Sequence, residues 1–182
     1  MHQIDTELIK LCRKGNQVAQ MQIYDKYCQA MFTVASRYLN NDEDAKDAMQ
    51  EGFLKVFMNI EKYQPEGTFG AWLKRIVINQ CLDVLKKRQL KFEAIEFSEL
   101  KIIDDDDWNF NSTITKQEIL FAIEQLNEKH KIVIKLYLIE GYDHQEISEI
   151  LEIPVKTSRT QLRRGKLRLQ ELLKEKYNEA RY

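Results

Sequence analysis

Turn-forming residues are scarce in this chain, because its 182 residues include only 6 Gly and 2 Pro. A protein built from many strands needs far more of these residues, so the sequence favours helices. Hydrophobic residues make up 43% of the chain and charged residues 31%, which is typical of a globular protein. We therefore expect an all-α protein of one or two small domains.

Apolar residues recur every three or four positions over residues 18–84, which is the period of amphipathic helices. Asn16 and Thr68 are suited to cap two of these helices, and another is predicted to start near Asp42. A short non-helical stretch, residues 63–67, precedes Thr68. The three predicted buried faces are, in chain order, Val18, Met21, Tyr24, Cys28, Met31, Ala35 and Tyr38; Ala45, Ala48, Met49, Phe53, Val56, Phe57 and Ile60; and Leu73, Val77, Cys81 and Val84.

The periodicity is lost in an acidic segment, residues 92–115, which has seven acidic residues and one lysine and so a charge of −6. Like charges repel and extend a chain, so we predict a flexible linker between modules of residues 1–91 and 116–182. The run Asp104 to Asp107 lacks the spaced ligands and the glycine of a calcium loop. We therefore predict no metal site.

Helical periodicity returns at Lys116, where a stripe of Ile119, Leu120, Ile123 and Leu126 predicts one helix. Asn127 is suited to cap the next helix, which would end at Gly141. The predicted inner residues of that helix are Ile132, Val133, Leu136 and Tyr137.

A helix-turn-helix is predicted after Gly141. Asp143 and Glu146 have the spacing of a capping box, and Pro154 ends the short helix that they begin. The following helix has one inward face, made of Ser158, Leu162, Gly165, Leu169 and Leu172. A short helix, a turn and a basic helix are typical of proteins that place the second helix in the major groove.

The basic helix carries the predicted contacts to duplex DNA: Lys156, Thr157, Arg159, Thr160, Gln161, Arg163 and Arg164. Arg can pair with guanine and Gln with adenine, whereas threonine hydroxyls are suited to phosphates. The alternative is a solvated basic face on an ordinary bundle helix. The unbroken run of positive charge over residues 156–168 favours the DNA interpretation.

Aromatic and basic residues also lie together in the first module, where Tyr63, Phe69 and Trp72 are near Lys74 and Arg75. Unpaired bases need a ring to stack on and a positive path for their phosphates. This combination is therefore suited to single-stranded DNA. Phe69 and Trp72 could instead be core residues.

Three segments resemble the sigma-70 family of bacterial RNA polymerase initiation factors. Residues 44–57 (DAKDAMQEGFLKVF) are similar to region 2.2, residues 70–79 (GAWLKRIVIN) to the start of region 2.4, and residues 141–151 (GYDHQEISEIL) to the first half of region 4.2. Two modules with a short linker match the extracytoplasmic-function (ECF) subfamily. The resemblance covers roughly residues 5–88 and 116–173, and the order and spacing of the three motifs make it specific.

The resemblance implies a region 2-like helical bundle and a region 4-like helix-turn-helix that direct core RNA polymerase to specific promoters. The helix of residues 44–57 would dock on the clamp helices of the β′ subunit, with the β subunit as a further partner. Its implied contacts are Asp44, Asp47, Gln50, Glu51, Phe53 and Leu54. The loop of residues 63–68 would capture a flipped base of the melted −10 element. The implied −10 contacts are Tyr63, Thr68, Phe69, Trp72, Lys74, Arg75 and Asn79.

The second module would read the −35 element as duplex. An anti-sigma factor is an implied partner, and no cofactor or catalytic residue is implied. Some positions depart from the family pattern: Glu152 stands where Gly is common, Lys156-Thr157 where Gly-Thr is common, and Thr160-Gln161 where Ser-Arg is frequent. These departures remove any basis for naming a −35 sequence.

Two other functional classes are alternatives for a helical chain of this kind. A stand-alone helix-turn-helix repressor would bind palindromic duplex by itself, but the linker and the segment of residues 44–57 disfavour it. A small helical enzyme or metalloprotein would need a convergent set of ligands, whereas Cys12, Cys28 and Cys81 are isolated and no CxxC or HxxxH spacing occurs. Residues 1–13 lack a signal-peptide core, and no apolar run approaches the roughly 20 residues that span a bilayer. We expect a cytoplasmic protein without membrane insertion.

Overall fold

The computed structural model describes residues 2–64, 67–89 and 114–179. These ranges contain helices and turns and no strand, which confirms the predicted all-α class. The chain divides into two compact units, residues 1–98 and residues 99–182. The predicted linker, residues 92–115, lies outside the described residues except for Ile114 and Thr115.

The described residues of the N-terminal unit form four α-helices and one 3₁₀ turn: α1 (His2–Arg13), α2 (Gln17–Ser36), α3 (Asp42–Met58), the 3₁₀ turn Ile60–Lys62 and α4 (Phe69–Gln89). The predicted caps are confirmed. The side chain of Asn16 accepts a hydrogen bond from the Ala19 amide at 3.0 Å, and Thr68 Oγ1 accepts one from the Ala71 amide at 3.2 Å. These caps satisfy amides that the first turn of a helix leaves without a partner.

The predicted inner faces of α3, the following 3₁₀ turn and α4 are confirmed at nine positions, whereas Phe57 and Val84 are only half-buried. The nine buried residues are Ala45, Ala48, Met49, Phe53, Val56, Ile60, Leu73, Val77 and Cys81. The prediction for the start of α2 is wrong. Val18 is 68% exposed and Met21 is 60% exposed, whereas Ala19 and Ile23 are buried. The first two turns of α2 carry apolar residues on two sides, and spacing alone cannot choose between those sides.

The close packing of α3 against α4 depends on Gly52. A Cβ atom at this position would lie 2.8 Å from Val77 Cγ2 and 3.3 Å from Val77 Cα. Both distances are shorter than ordinary van der Waals contact, so a larger residue would push the two helices apart. Gly52 therefore sets how closely α3, the predicted polymerase-binding helix, lies against α4.

The C-terminal unit contains α5 (Lys116–Glu124), α6 (Glu128–Ile134), a π-helical turn (Lys135–Ile139), α7 (His144–Leu151) and α8 (Val155–Glu179). The side chain of Asn127 caps α6, and Gly141 follows the π-helical turn with φ +79°, as predicted for a residue that ends a helix. Ile134, Leu136, Ile147 and Leu169 are fully buried. Leu120 departs from the predicted stripe, because it is 40% exposed.

Two lysines are buried in this unit, which the sequence pattern did not predict. The Lys135 side chain is 4% exposed, and its Nζ lies 2.6 Å from Glu124 Oε1. Lys131 Nζ lies 2.9 Å from Glu128 Oε1 and 3.7 Å from Glu124 Oε2. Burial of an ammonium group is tolerated when a carboxylate lies beside it. Glu124 therefore ties the end of α5 to α6 and to the π-helical turn. Within the described ranges, no helix is both long and apolar enough to cross a membrane.

Candidate nucleic-acid interface

The turn between α7 and α8 is fixed by hydrogen bonds within the chain. Asp143 and Glu146 form the predicted capping box, in which each side chain accepts from the other residue's amide at 2.8 Å. At the other end of α7, Glu152 adopts the left-handed conformation with φ 56° and ψ 41°. The Ile153 amide donates to the Ser148 carbonyl at 3.1 Å, and Ser148 Oγ donates to the Ile153 carbonyl at 2.6 Å. These contacts set the direction in which α8 leaves the turn.

The inner face of α8 holds the helix against the rest of the C-terminal unit. Ser158 and Leu169 are fully buried, and Leu162 is buried. A Cβ atom at Gly165 would lie 2.9 Å from Ile134 Cγ1, so glycine allows α8 to approach α6 closely. The predicted inward set is confirmed at these four positions. The last predicted member, Leu172, is only half-buried, and the neighbouring Leu173 is buried instead.

The predicted duplex-DNA residues all lie in the first ten positions of α8. Lys156, Arg159 and Thr160 are exposed, and Thr157, Gln161, Arg163 and Arg164 are half-buried. Residues 155–170 contain six basic residues and no acidic one. This end of α8 therefore presents a positive surface, as a helix that enters the major groove requires.

Two of these side chains are oriented inward or along the helix. Thr160 Oγ1 donates to the Lys156 carbonyl at 2.9 Å. The Gln161 side-chain oxygen is buried and has no hydrogen-bond partner among the described residues. Burial of a carbonyl oxygen without a hydrogen-bond partner is costly. A donor that reaches the Gln161 oxygen would therefore form a favourable hydrogen bond.

His144 connects α7 to α8 and to the preceding π-helical turn. Its Nδ1 lies 2.9 Å from Ser158 Oγ, and its ring stacks on Tyr137 at a centroid distance of 4.9 Å. Burial lowers the pKa of His144 below 6.5, and the charges of Arg159 and Lys166 lower it further, while Asp143 opposes them. The imidazole is therefore neutral near pH 7 and joins α7 to the buried hydroxyl of α8. Sequence patterns did not predict this contact.

In the N-terminal unit, the predicted aromatic residues form one cluster at the start of α4. The Tyr63 ring lies 5.4 Å from that of Phe69 and 5.3 Å from that of Trp72. Phe69 is 3% exposed and also contacts Tyr27 at 5.7 Å, so its ring is a core group, as the alternative interpretation expected. Trp72 is half-buried. The Tyr63 hydroxyl donates to the Gly67 carbonyl at 2.9 Å and so closes the loop that precedes α4.

The polar members of the predicted −10 set lie at the start of α4 and along it. Thr68 is exposed at the start of α4, and Lys74, Arg75 and Asn79 are half-buried along the helix. The Asn79 side-chain oxygen is buried and accepts no hydrogen bond from the residues that the structure describes. Residues 65 and 66, in the middle of the predicted loop, lie outside the described residues.

The predicted polymerase-binding helix, α3, has a mixed outer surface. Asp47, Gln50 and Glu51 are exposed, and Leu54 is 58% exposed. Asp44 is half-buried and forms an ion pair with Arg88 at the end of α4. The carboxylates on this surface could attract a basic partner, and Leu54 could bury apolar area against it.

The assignment of Phe53 as a surface anchor is wrong. Phe53 is 2% exposed, and its ring packs on Tyr24 at 4.8 Å. Consecutive residues of a helix point about 100° apart, so Phe53 and Leu54 cannot serve the same surface. Met58 is 83% exposed one turn after Leu54, and the four-residue spacing could have identified it as the second apolar group.

Two of the three thiols, those of Cys12 and Cys81, are buried in the N-terminal unit. Burial raises the pKa of Cys81 to about 12 and also raises that of Cys12. Both side chains are therefore protonated near pH 7, and a thiol is a poor nucleophile in that form. In the described part of the chain, no group of three or more His, Cys, Asp or Glu side chains is arranged to hold a metal ion.

Comparison with known proteins assigns both units to one family. Residues 23–91 match Sigma-70 region 2, and residues 116–169 match Sigma-70, region 4. The chain is 30% identical over 178 residues to the ECF RNA polymerase sigma factor SigW of Bacillus subtilis, across 92% of this chain and 95% of that protein. It is 27% identical over 173 residues to the ECF RNA polymerase sigma-E factor of Escherichia coli, across 89% and 90% of the two chains.

A third relative is longer than this chain. The ECF RNA polymerase sigma factor SigE of Mycolicibacterium smegmatis is 28% identical over 156 residues, and the match spans 84% of this chain but 60% of that protein. The chain belongs to the ECF RNA polymerase sigma factors of the sigma-70 family. The prediction of a promoter-directing transcription initiation factor is confirmed at the level of the family.

Solved structures share the fold. The structure of CnrH in complex with the cytosolic domain of CnrY has a TM-score of 0.58 at 21% identity and covers 94% of this chain and 98% of that chain. The sigma factor RpoE of Bartonella quintana, in complex with the anti-sigma factor NepR, has a TM-score of 0.57 at 21% identity and covers 85% and 96%.

Proposed function

We propose that this sigma factor binds core RNA polymerase and reads a promoter through two separate surfaces. Residues 1–91 would bind the polymerase and the melted −10 element, residues 116–182 would read the −35 duplex, and residues 92–115 would link them. The observation that carries this proposal is the first part of α8, which follows a tightly bonded turn and presents four basic residues with no acidic one over residues 155–164.

The −35 surface consists of Lys156, Thr157, Arg159, Thr160, Gln161, Arg163 and Arg164. Lys156 and Arg159 are exposed at the start of the helix, where they can reach phosphates. Arg163 and Arg164 lie one turn further along the helix and can donate to guanine. The unsatisfied oxygen of Gln161 can rotate toward an adenine amino group, which would provide the missing donor.

The −10 surface consists of Thr68, Trp72, Lys74, Arg75 and Asn79, and the predicted residues Tyr63 and Phe69 lie behind it. Because the rings of Tyr63 and Phe69 are buried, we propose that they pack beneath the loop and against Trp72 and do not contact DNA. Trp72 has ring surface left for a base, and Lys74 and Arg75 lie along the path of the strand. The buried oxygen of Asn79 can accept a hydrogen bond from an exocyclic amino group of a base.

The polymerase surface is the outer side of α3, formed by Asp44, Asp47, Gln50, Glu51 and Leu54. Its partner would be the clamp helices of the β′ subunit, with further contacts to the β subunit. Phe53 packs behind this surface and keeps α3 in position. Met58 extends the apolar part of the surface.

The two DNA surfaces need not bind tightly by themselves. Core polymerase would hold them at a fixed separation and so raise the effective concentration of the second contact. Flipping a base costs a few kcal/mol, and stacking on an aromatic side chain returns roughly 1–3 kcal/mol per base. Strand capture can therefore keep the duplex open, and the nucleotide chemistry belongs to the polymerase. We accordingly propose a non-enzymatic, cytoplasmic protein.

An anti-sigma factor is proposed as a further partner. The two solved structures described above are complexes, one with the cytosolic domain of CnrY and one with the anti-sigma factor NepR. Each pairs a chain of this fold with a second protein. A similar partner would hold this sigma factor inactive.

Matched variants test the surfaces one at a time. We expect Arg163→Ala to lower −35 duplex binding by roughly tenfold, the effect of about 1–3 kcal/mol for a lost base contact. Arg168→Ala should change it less than twofold, because Arg168 lies further along α8 and pairs with Glu171 at 2.9 Å. Equal losses in both variants would indicate a diffuse electrostatic effect and contradict the assignment.

For the polymerase surface, Leu54→Asp should weaken binding to core polymerase by at least roughly tenfold, since it replaces apolar area with a charge. Val18→Asp is the matched control, because Val18 is 68% exposed in the same unit but lies on α2. The proposal for α3 fails if both variants bind core polymerase as the wild type does.

A further inference from the structure

Arg13, the last residue of α1, contacts the segment that leads into the proposed −10 loop. Its Nη2 donates to the Tyr63 carbonyl at 2.7 Å, and its Nε donates to the Ile60 carbonyl at 3.4 Å. The same Nε lies 3.8 Å from a carboxylate oxygen of Glu61. One guanidinium group therefore holds the 3₁₀ turn of Ile60–Lys62 at both of its ends.

The Ile60 carbonyl also accepts from the Tyr63 amide within the turn, at 3.2 Å, so the Tyr63 carbonyl, beyond the end of the turn, is the acceptor that depends on Arg13. The carbonyls at the end of a helical turn have no partner within the turn, and a cation beside them is favourable. The guanidinium group can serve two carbonyls at once because its donors lie in a rigid plane. The Arg13 side chain is 34% exposed, so water screens its charge only in part.

Tyr63 transmits this constraint to the loop. Its carbonyl is held by Arg13, its ring contacts both Phe69 and Trp72, and its hydroxyl donates to the Gly67 carbonyl at 2.9 Å. The next residue, Thr68, begins the cap of α4. The position of Tyr63 thus fixes Gly67 on one side of the loop and the Trp72 ring on the other.

The helix that carries Arg13 is itself anchored. Ile9 and Cys12 of α1 are 6% and 3% exposed, so α1 is packed into the N-terminal unit. The match to Sigma-70 region 2 begins at residue 23 and leaves α1 outside. Arg13 therefore lies outside the part of the chain that matches Sigma-70 region 2.

We propose that Arg13 is a positioning residue for −10 recognition, which holds Tyr63, and through it Gly67 and the Trp72 ring, in the arrangement that receives a flipped base. Arg13 does not touch DNA in this assignment and acts through Tyr63. The proposal rests on the proposed function, because it requires that the loop reads the −10 strand. The proposal predicts that loss of Arg13 weakens recognition of the −10 element and leaves the other binding surfaces unchanged.

The test uses the full chain with bacterial core polymerase and a promoter selected from a random library by the wild-type protein. Binding of the assembled holoenzyme is measured to a single-stranded oligonucleotide with the selected −10 sequence and to one with that sequence scrambled. The preference for the selected oligonucleotide is the readout. A general loss of folding would not change this ratio selectively.

We expect Arg13→Ala to reduce the preference about tenfold, which is the factor that corresponds to loss of one charge-assisted hydrogen bond. Arg13→Lys keeps the charge but donates to fewer acceptors, so the preference should fall by about threefold. Lys10→Ala is the matched control, because Lys10 is exposed on the same helix and pairs with Glu7 at 3.7 Å. It should keep the wild-type preference.

Binding of −35 duplex and of core polymerase should be unchanged in both Arg13 variants. The assignment is overturned if Arg13→Lys and Arg13→Ala keep the full preference, or if they lose both oligonucleotides and core polymerase in equal measure. A wild-type protein that directs no start-site-specific transcription would instead overturn the proposed function, and the Arg13 assignment with it. The two failures are therefore distinguishable.

Discussion

Replacement of Glu152 by glycine should stabilise the C-terminal unit. Glu152 has φ 56° and ψ 41°, a left-handed conformation that costs an L-residue roughly 1–2 kcal/mol. Glycine avoids this cost but gains freedom in the unfolded chain, which offsets roughly 0.5–1 kcal/mol. The net gain is about 0.5–1 kcal/mol. The turn hydrogen bonds of Ser148 and Ile153 involve no atom of the Glu152 side chain and should persist.

The assay is differential scanning calorimetry of the full chain, with hydrogen exchange of α7 and α8 to identify the C-terminal transition. For a domain of this size, about 1 kcal/mol shifts Tm by roughly 4–8 °C, so we expect a rise of about 2–8 °C. Glu152→Ala removes the same side chain without relieving the backbone and should give no rise. Glu149→Gly, in the middle of α7, should cost about 1 kcal/mol. A Tm that stays constant or falls in Glu152→Gly would refute the reasoning.

Three further predictions concern stability. Burial lowers the pKa of both His130 and His144 below 6.5, so the folded unit takes up protons less readily than the unfolded chain. Stability should therefore fall as pH falls through 6.5 toward the lowered values, as urea unfolding would show. Glu124→Gln should cost about 1–2 kcal/mol in thermal melting, because buried Lys135 would contact a neutral amide instead of a carboxylate. Gly52→Ala should destabilise the N-terminal unit by about 1–3 kcal/mol, since its new Cβ atom would overlap Val77.

Each of these predictions has a control. The double variant His130→Gln/His144→Asn should show a smaller loss of stability over that pH range, and an unchanged slope would exclude the histidines as its cause. Glu171→Gln disrupts an exposed ion pair and should cost less than about 0.5 kcal/mol. If it costs as much as Glu124→Gln, burial of Lys135 is not the reason. Gly67→Ala meets nothing within 4 Å and should leave Tm nearly constant.

Local patterns in the sequence predicted the helix ends well. Asn16, Asn127 and the pair Asp143 and Glu146 each satisfy amides within three residues of themselves, so the residue type and its spacing determine the contact. The basic helix α8 was also predictable, because its inner and outer faces follow the helical period. The structure explains why other family members often have glycine where Glu152 stands. The backbone at this position is left-handed, which favours glycine.

Contacts between distant segments could not be predicted in this way. Arg13 meets Tyr63 across 50 positions of sequence, and no local pattern records such a pairing. The burial of Lys135 contradicts its ordinary preference for solvent and depends on the carboxylate of Glu124. The family resemblance predicted that α3 binds the polymerase, but it could not show that the Phe53 side chain points inward. That direction is set by packing of the Phe53 ring on Tyr24.

The most direct test of the account is mapping of transcription start sites on a random promoter library, with bacterial core polymerase in the presence and absence of this protein. The account predicts start sites that appear only with the protein and share a −35 and a −10 motif. Absence of such transcripts, together with tight binding of palindromic duplex by the protein alone, would contradict it and favour a stand-alone repressor.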